Sequence, residues 1–301
     1  MSQGIRSTVL PLLAAFIWGT AFVGQSVLAD VIPPLAVNAL RGAIASLALL
    51  AAIFLFRSFE KKQGKTPQKQ DKRALLVGGV SAGVVLTVAA NLQQAGLMYT
   101  SAGKASFITA LYIVLVPLCG LFLGKKASGR VWLAVALATI GLYLISVSGE
   151  FRMEKGDFLV FLCALGFTCH ILVIDRFTEK VDGLCLSCVQ FATCMVLSGI
   201  ASLLTEEVHL SGVPIGAWLW PLLYIGIFSS GVAYTLQILA QQGGDATVVS
   251  LLLSLESVFG ALSGAVLLHE RMSAREIIGC VIMFIAVILA QIPKKKKTSD
   301  R

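Results

Sequence analysis

Long apolar windows, separated by short polar segments, recur along the whole chain. Each window is 19–24 residues long, close to the roughly 20 residues that an α-helix needs to cross a hydrocarbon core of about 30 Å. The short alternating segments that mark a transmembrane β-barrel are absent. The pattern predicts ten membrane-spanning helices, at residues 8–29, 34–56, 74–97, 103–123, 130–148, 157–175, 183–204, 217–240, 246–268 and 274–292.

The ten predicted spans divide into two sets of five at the polar connector EFRMEKGD. An odd number of helices in each set places the second set upside down relative to the first, a plan that recurs among secondary transporters. A shift of 145 residues aligns the segment 123–128 with 268–273, although few letters are identical. The sequence therefore predicts an all-α integral membrane protein with ten transmembrane helices in two inverted-topology five-helix repeats, residues 8–148 and 157–292.

Composition and charge support a membrane protein. The chain is 57% hydrophobic and only 13% charged, whereas soluble proteins carry about 25% charged residues. The net charge of +8 could indicate a nucleic-acid partner, but the basic residues lie in short segments between the apolar runs. That distribution is typical of positive-inside control of topology. We expect the lipid bilayer as surroundings, no nucleic-acid partner, and a tail, KKKKTSDR, that contacts lipid headgroups.

The orientation follows from the lysines and arginines. If both termini are cytoplasmic, 18 of the 24 basic residues lie on the inside and five on the outside, with Arg41 within a span. This bias predicts a multi-pass protein of the cell membrane with both termini in the cytoplasm. The first apolar run continues to about Ala29, beyond the core of a typical signal peptide, and is expected to remain as the first span.

Cofactor and enzyme signatures are weak or missing. The seven cysteines are an odd number and all lie in apolar runs, which argues against structural disulfides. The single CxxC at Cys185 and Cys188 lacks a second ligand pair. Gly79–Gly83 fits G-x-S-x-G, but it lies inside an apolar helix rather than at a strand–turn–helix junction. Walker A, zinc and Rossmann signatures are absent, so the sequence predicts no cofactor, no metal site and no enzyme.

Four short stretches carry a family resemblance that extends over nearly the whole chain. They are Trp18-Gly19-Thr20 in the first span, Leu40-Arg41-Gly42 in the second, SAGKASFITALYIVLVP at 101–117, and Leu255-Glu256-Ser257 in the ninth. Their order resembles the drug/metabolite transporter superfamily, and within it the EamA-type families, which often have a proline where Ser257 stands.

The resemblance implies a function. It implies a secondary transporter of small organic metabolites that works by alternating access without ATP. Export is the preferred direction on the resemblance alone, and uptake or exchange stay open. A non-transporting membrane protein, such as an intramembrane enzyme or a lipid-handling protein, is the alternative class. A dry bundle would favour that alternative, whereas a midplane cavity lined by both halves would favour transport. The oligomeric state stays open.

Glu256 is the first candidate for the substrate site. It lies near the middle of a 23-residue apolar run, where a charged residue costs about 2.5–3.5 kcal/mol on insertion scales. Either the carboxylate faces a cavity and binds substrate or a proton, or it is a protonated group that bonds to a neighbouring helix. Its depth favours the cavity, because a residue at the centre of a span cannot readily reach the headgroups.

Other candidates are polar or aromatic residues within the spans. Arg41 lies about seven residues inside the second span, and a structural role, substrate contact and a pair with Glu256 are all open. The remaining candidates either bond helices together or line a cavity: Trp18, Asn91, Tyr112, His170, Tyr234 and Gln237. The resemblance implies a cavity bounded by spans 3, 4, 6 and 8 with 1 and 9. His170 is a candidate for proton coupling.

The predicted orientation is directly testable. A cysteine introduced within residues 61–70 should react with a membrane-impermeant thiol reagent in inverted vesicles but not on intact cells, because that segment is rich in lysine and is predicted to be cytoplasmic. A cysteine at residues 209–212, predicted to be external, is the matched control with the opposite pattern. Labelling of the 61–70 cysteine on intact cells would overturn the orientation.

Overall fold

The part of the chain that the structure describes contains ten helices that run through the bundle. The computed structural model describes residues 3–63, 70–125, 127–146, 154–267 and 272–292, and every regular element in these ranges is helical. Seven helices are continuous: α1 Gln3–Ala29, α2 Pro34–Lys62, α3 Lys72–Leu97, α5 Gly129–Ser146, α6 Lys155–Phe177, α7 Gly183–Thr205 and α10 Ala274–Gln291. Three are interrupted: α4 (Ala102–Thr109, Tyr112–Phe122), α8 (Ile215–Tyr224, a π-helical segment Ile225–Ala233, Tyr234–Gln241) and α9 (Ala246–Leu253, Glu256–Leu267).

The helices agree with the apolar windows and confirm the predicted all-α membrane protein. Nine are long and apolar enough to span a bilayer within the described ranges, and α5 contributes a shorter apolar stretch, Gly129–Ile145. The predicted span ends at 148 and 268, the basic tail and the first part of the connector, residues 150–153, lie outside the described residues. Hydropathy does not reveal the interruptions in α4, α8 and α9, because it measures apolarity and not hydrogen-bond pattern. The helix α2 also runs beyond the predicted end at 56.

Polar side chains at the span boundaries fix where the helices begin. Asp71, Asp182 and Asp245 accept backbone N–H bonds at the starts of α3, α7 and α9, and Ser273 does so at α10. Such caps satisfy amides that the helix itself leaves unbonded. The start of α2 is capped from another helix, because both carboxylate oxygens of Glu206 accept bonds from the first amides of α2 at 3.0 and 2.9 Å.

Equivalent helices of the two halves pack against each other in opposite directions. The helix α2 lies along α7, with Gly42 beside Met195 and Arg57 beside Cys185. As the residue number rises in α2, it falls in α7, so the pair is antiparallel. The helices α5 and α10 show the same order, because Gly141 lies beside Met283 while Arg130 bonds to the carbonyl of Ile292. Second and fifth helices of one half thus oppose their counterparts, as an inverted repeat requires.

The bundle has two ends and an apolar belt. The Thr8 hydroxyl donates to the Gln291 amide oxygen at 3.1 Å, so the start of α1 and the end of α10 lie at the same end, called here the terminal face. The other end is called the opposite face. Large apolar side chains such as Phe54 and Leu203, 72% and 87% exposed, point away from the bundle. Such a surface is typical of contact with lipid rather than water.

Close contact between α5 and α10 depends on glycine. A Cβ at Gly141 would lie 2.8 Å from the Gly279 carbonyl oxygen and 2.9 Å from Met283 Cγ. Small residues let membrane helices approach closely, which matters because lipid supplies no hydrophobic drive between helices.

We therefore expect Gly141→Ala to lower the melting temperature of the purified protein, with a loss of stability of about 1–3 kcal/mol from overpacking. Gly129→Ala, at the start of the same helix, is the control, since no atom lies within 4 Å of its added Cβ. Equal melting temperatures for the two variants would contradict the packing argument.

Candidate functional site

The helices α4 and α9 break at equivalent positions. The breaks lie at Ala110–Leu111 and Ser254–Leu255, and at each a leucine N–H binds the carbonyl oxygen three residues earlier at 3.2 Å. This tighter turn ends the α-helical ladder. In α9 the Ser254 hydroxyl also bonds back to the carbonyl of Leu251 at 2.8 Å, which competes with the helical pattern.

Tyr112 and Glu256 begin the second segments of these two helices, and they bind each other. The Tyr112 hydroxyl donates to Glu256 Oε1 at 3.1 Å, and the two residues are 3% and 4% exposed. They are also counterparts in the two halves, 144 residues apart in the sequence. A carboxylate in the first turn of a helical segment is favoured by the helix dipole. The bond and the dipole together explain how a buried Glu256 is accommodated.

The π-helical segment of α8 positions a second polar group. Arg41 Nε donates to the Ser230 hydroxyl at 2.8 Å, and its other nitrogens reach Gln25 at 3.1 Å and Ser229 at 3.4 Å. Trp18 Nε1 donates to the Ser229 backbone carbonyl at 3.0 Å. Wider π turns recur at functional sites, because they present groups that a regular helix would hide. Here they bring two serines to a buried arginine.

These groups surround one central cavity. Its open space is about 40 Å³ to the centres of water molecules, where one water needs roughly 10–15 Å³. Helices from both halves contribute: α1, α2, α3 and α4 from the first, and α6, α8 and α9 from the second. Its lining residues are Trp18, Phe22, Gln25, Arg41, Gln93, Thr109, Tyr112, Phe167, Ile171, Ser229, Tyr234, Gln237, Leu253 and Glu256.

Six of the eight candidates from the sequence lie in this lining: Trp18, Arg41, Tyr112, Tyr234, Gln237 and Glu256. The other two do not. Asn91 lies in a chain of bonds that joins α2, α3 and α7, since it accepts from Asn38 at 2.9 Å and donates to Ser198 at 2.9 Å. His170 is fully buried, bonds to Gln190 at 3.0 Å, and contacts the edge of the Tyr234 ring. Both bind neighbouring helices.

The Arg41 side chain does not extend to the membrane surface, and it does not bind Glu256. It is 5% exposed, and among the residues that the structure describes its side chain bonds only to uncharged groups. Arginine and glutamate therefore face the same cavity with separate partners. Of the alternatives left open for Arg41, a pair with Glu256 is not formed among the described contacts of this conformation.

Several polar residues line the cavity in addition to the predicted candidates. Gln25, Gln93, Thr109 and Ser229 line the cavity as well. Each lies inside an apolar span, so the signal that singled out Gln237 applied to them too. Gln93 donates to Thr109 at 3.0 Å, which connects α3 to the break in α4. Within the described ranges no group of three or more His, Cys, Asp or Glu side chains is placed to hold a metal ion.

The two ends of the bundle differ around the cavity. At the opposite face Asp157 is fully buried and accepts from Lys104 at 2.8 Å and from Thr100 at 2.6 Å, which ties α4 to α6. At the terminal face a larger polar opening of about 410 Å³ lies between the ends of α4, α6 and α8 and the start of α9. This opening, called the vestibule, includes Asp175, Gln241 and the ion-paired Lys125.

Several known proteins are similar to this chain in sequence. An uncharacterized transporter of Archaeoglobus fulgidus is 28% identical over 296 residues, which cover 97% of this chain and 88% of the relative. The uncharacterized transporter YwfM of Bacillus subtilis is 24% identical and covers 99% and 98% of the two chains. The chloroplastic WAT1-related protein At3g02690 of Arabidopsis thaliana is 24% identical over 93% of this chain and 68% of its own.

A solved crystal structure has the same fold. It superposes with a TM-score of 0.75 at 20% identity, covering 94% of this chain and 96% of the other. The sequence profile of the EamA-like transporter family matches residues 6–147 and again residues 154–291. With both halves matched, the chain belongs to the EamA-like transporter family, as the order of its motifs predicts.

Proposed function

We propose that the protein is a secondary transporter that moves small organic metabolites across the membrane by alternating access between its two inverted halves. The observation that carries this proposal is the central cavity, which lies between the halves and is lined by Arg41 of α2 and by Tyr112 and Glu256 at the breaks of α4 and α9. Interrupted helices at the midplane of inverted repeats are a recurring location for substrate sites in secondary transporters.

The cavity chemistry suits a small molecule with both polar and apolar parts. Arg41 and the glutamines Gln25 and Gln93 offer hydrogen-bond donors, and Glu256 offers a carboxylate. Trp18 and Tyr234 pack edge to face with centroids 4.8 Å apart and give the wall an aromatic surface. A few convergent polar groups on an apolar wall are typical of small-molecule sites.

The size of the cavity supports a cycle with more than one conformation. About 40 Å³ holds a few waters and is too small for a metabolite, so substrate entry requires the helices around the cavity to move apart. The vestibule at the terminal face is one helical turn away, because Ile171 and Gln237 line the cavity while Asp175 and Gln241 line the vestibule. The arrangement fits a contracted conformation that opens toward the terminal face.

The proposal also covers the direction of transport, the coupling ion and the orientation of the protein in the membrane. Export is the preferred direction, on family resemblance, and uptake or exchange of the same substrates is the alternative. Protons are the candidate coupling ion, with Glu256 as the group to bind them, since its carboxylate is buried and bonded only through Oε1 to Tyr112 in the described contacts. The positive-inside bias favours the cell membrane with both termini in the cytoplasm.

The polar cavity favours transport over an intramembrane enzyme or a lipid-handling protein. A flux screen in liposomes tests the choice. Liposomes that contain the purified protein are loaded with amino acids, nucleosides or sugars. Counterflow of each solute is then measured with and without a pH gradient. Saturable, protein-dependent flux of one class supports the proposal, and its absence across all classes in a folded preparation opposes it.

Glu256→Gln is the sharpest test of the site. The substitution keeps size and hydrogen bonding and removes the ionisable group, so we expect near-normal melting temperature and a flux at least several-fold lower, or a changed pH dependence. An amide is also cheaper to bury than a charge. Flux and melting temperature are measured on one preparation.

Asn91→Ala is the matched control, because Asn91 bonds helices together outside the cavity lining. It should lower the melting temperature through loss of buried hydrogen bonds while flux per folded molecule changes little. If Glu256→Gln instead behaves like Asn91→Ala, with full flux and an unchanged pH profile, Glu256 is a packing residue and the transport site lies elsewhere.

A further inference from the structure

Two glutamine side chains bind backbone carbonyls across neighbouring helices. Gln94 of α3 donates from Nε2 to the carbonyl of Gln25 in α1 at 3.0 Å. Gln241 of α8 donates from Nε2 to the carbonyl of Ile171 in α6 at 2.9 Å. Both glutamines are buried, at 0% and 2% exposure. In each case the acceptor belongs to a residue that lines the central cavity.

The two bonds are counterparts in the inverted halves. Exchange of the halves places α1 on α6 and α3 on α8. The bond between α1 and α3 is therefore placed on the bond between α6 and α8. The acceptors Gln25 and Ile171 are 146 residues apart, and the donors Gln94 and Gln241 are 147 apart. An in-plane two-fold relation carries one end of the bundle to the other, so the bonds lie on opposite sides of the cavity.

Gln241 separates the cavity from the vestibule. Both α6 and α8 run toward the terminal face. The cavity-lining residue nearest that face is therefore the last one along each helix, which is Ile171 in α6 and Gln237 in α8. Gln241 lines the vestibule one turn further on, and its Oε1 accepts from Gln237 Nε2 at 3.1 Å. Its amide therefore joins α8 to α6 across the thin barrier between the two spaces.

Gln94 occupies the corresponding place toward the opposite face. The helix α1 runs toward that face, and Gln25 is its last residue in the cavity lining. Gln93, the neighbour of Gln94, lines the cavity, and α3 ends soon after at Leu97. The bond from Gln94 to α1 therefore lies on the side of the cavity away from the vestibule.

The two glutamines differ in how completely they are bonded. Gln241 uses both its amide nitrogen and its oxygen. Among the described residues Gln94 Oε1 is buried without a hydrogen-bond partner, and so is Gln237 Oε1 next to the other bond. Buried acceptors without a partner call for a reason. Rearrangement of the two ends during a transport cycle would give these oxygens a partner or water.

We propose that Gln94 and Gln241 are paired gate residues, whose amide-to-carbonyl bonds are released in turn to open the cavity to the opposite face or to the terminal face. The proposal rests on the proposed alternating access. Neutral hydrogen bonds have modest net strength, so they break and reform in each cycle and leave no unpaired charge in the membrane. Each gate acts between two helices of the same half, and the inverted repeat supplies one gate per side.

A cavity reporter tests each gate separately. Thr109→Cys places a thiol in the cavity wall, in a chain whose seven native cysteines are replaced by serine or alanine and which is shown to be folded by its melting curve. The protein is reconstituted in one orientation. The labelling rate by an impermeant maleimide is then measured from each side.

Gln241→Met and Gln94→Met keep side-chain length and remove the bond. We expect Gln241→Met to raise labelling from the terminal face roughly two- to tenfold, the effect of one lost hydrogen bond on a two-state population, and to lower it from the other side. Gln94→Met should do the reverse. Where a methionine variant fails to fold, the asparagine variant, whose amide is one methylene too short to reach the carbonyl, takes its place.

Gln242→Met is the control, because it also removes a glutamine side-chain bond to a backbone carbonyl, but away from the cavity. Gln242 Nε2 donates to the carbonyls of Thr178 and Val181 at 2.9 and 3.2 Å, and the residue is absent from the cavity lining. It should leave the labelling rate of the cavity reporter unchanged from both sides, whatever it does to the melting temperature.

The outcomes separate the gates from the transport proposal. Opposite side preferences in the two variants support the gates, even if the flux screen finds no substrate and transport itself fails. Equal changes from both sides, or none, while saturable flux persists, show that the glutamines only bond helices together, and transport then stands without them. Changes that Gln242→Met reproduces also overturn the assignment.

Discussion

The hydrogen bond between Tyr112 and Glu256 is the point on which the centre of the molecule depends. A carboxylate cannot remain at the middle of a membrane helix without a partner, because the surrounding hydrocarbon offers none. Here the partner is the counterpart residue of the other half, and each of the two begins a helical segment at a break. The bond thus joins the halves where both of their ladders are interrupted, and the cavity forms beside it.

Close backbone approach makes that arrangement possible. A Cβ on Gly19 would lie 2.6 Å from the carbonyl oxygen of Glu256 and 2.7 Å from the amide of Gly260, so α1 touches α9 at the break itself. The same principle holds α5 against α10 at Gly141 and Gly279. In lipid, where apolar burial between helices gains little, contact between backbones and buried hydrogen bonds carry the association. The bonds of Arg41, Asn91 and Gln241 between helices belong to this set.

The helix count and the site residues are predicted from different physical signals in the sequence. Apolar length is a local property, so ten windows predict ten helices, and the charge bias between windows predicts their orientation in the membrane. A charged residue deep in a window stands out for the same local reason, which is why Glu256 and Arg41 were visible. Whether a polar residue such as Asn91 or Gln93 faces a cavity or a neighbouring helix depends on how each helix is rotated, and packing decides that rotation.

From sequence alone follow the all-α membrane class, the ten spans, the two halves and the family resemblance, because each rests on composition, length or short motifs. The tertiary structure alone decided that α4, α8 and α9 are interrupted, that Tyr112 rather than Arg41 binds Glu256, and that Asn91 and His170 lie outside the cavity lining. It also placed Gln94 and Gln241 on two sides of one cavity. These features depend on contacts between residues far apart in the sequence, such as Tyr112 and Glu256, which are 144 positions apart. The free energy that selects them arises only when the helices are packed together.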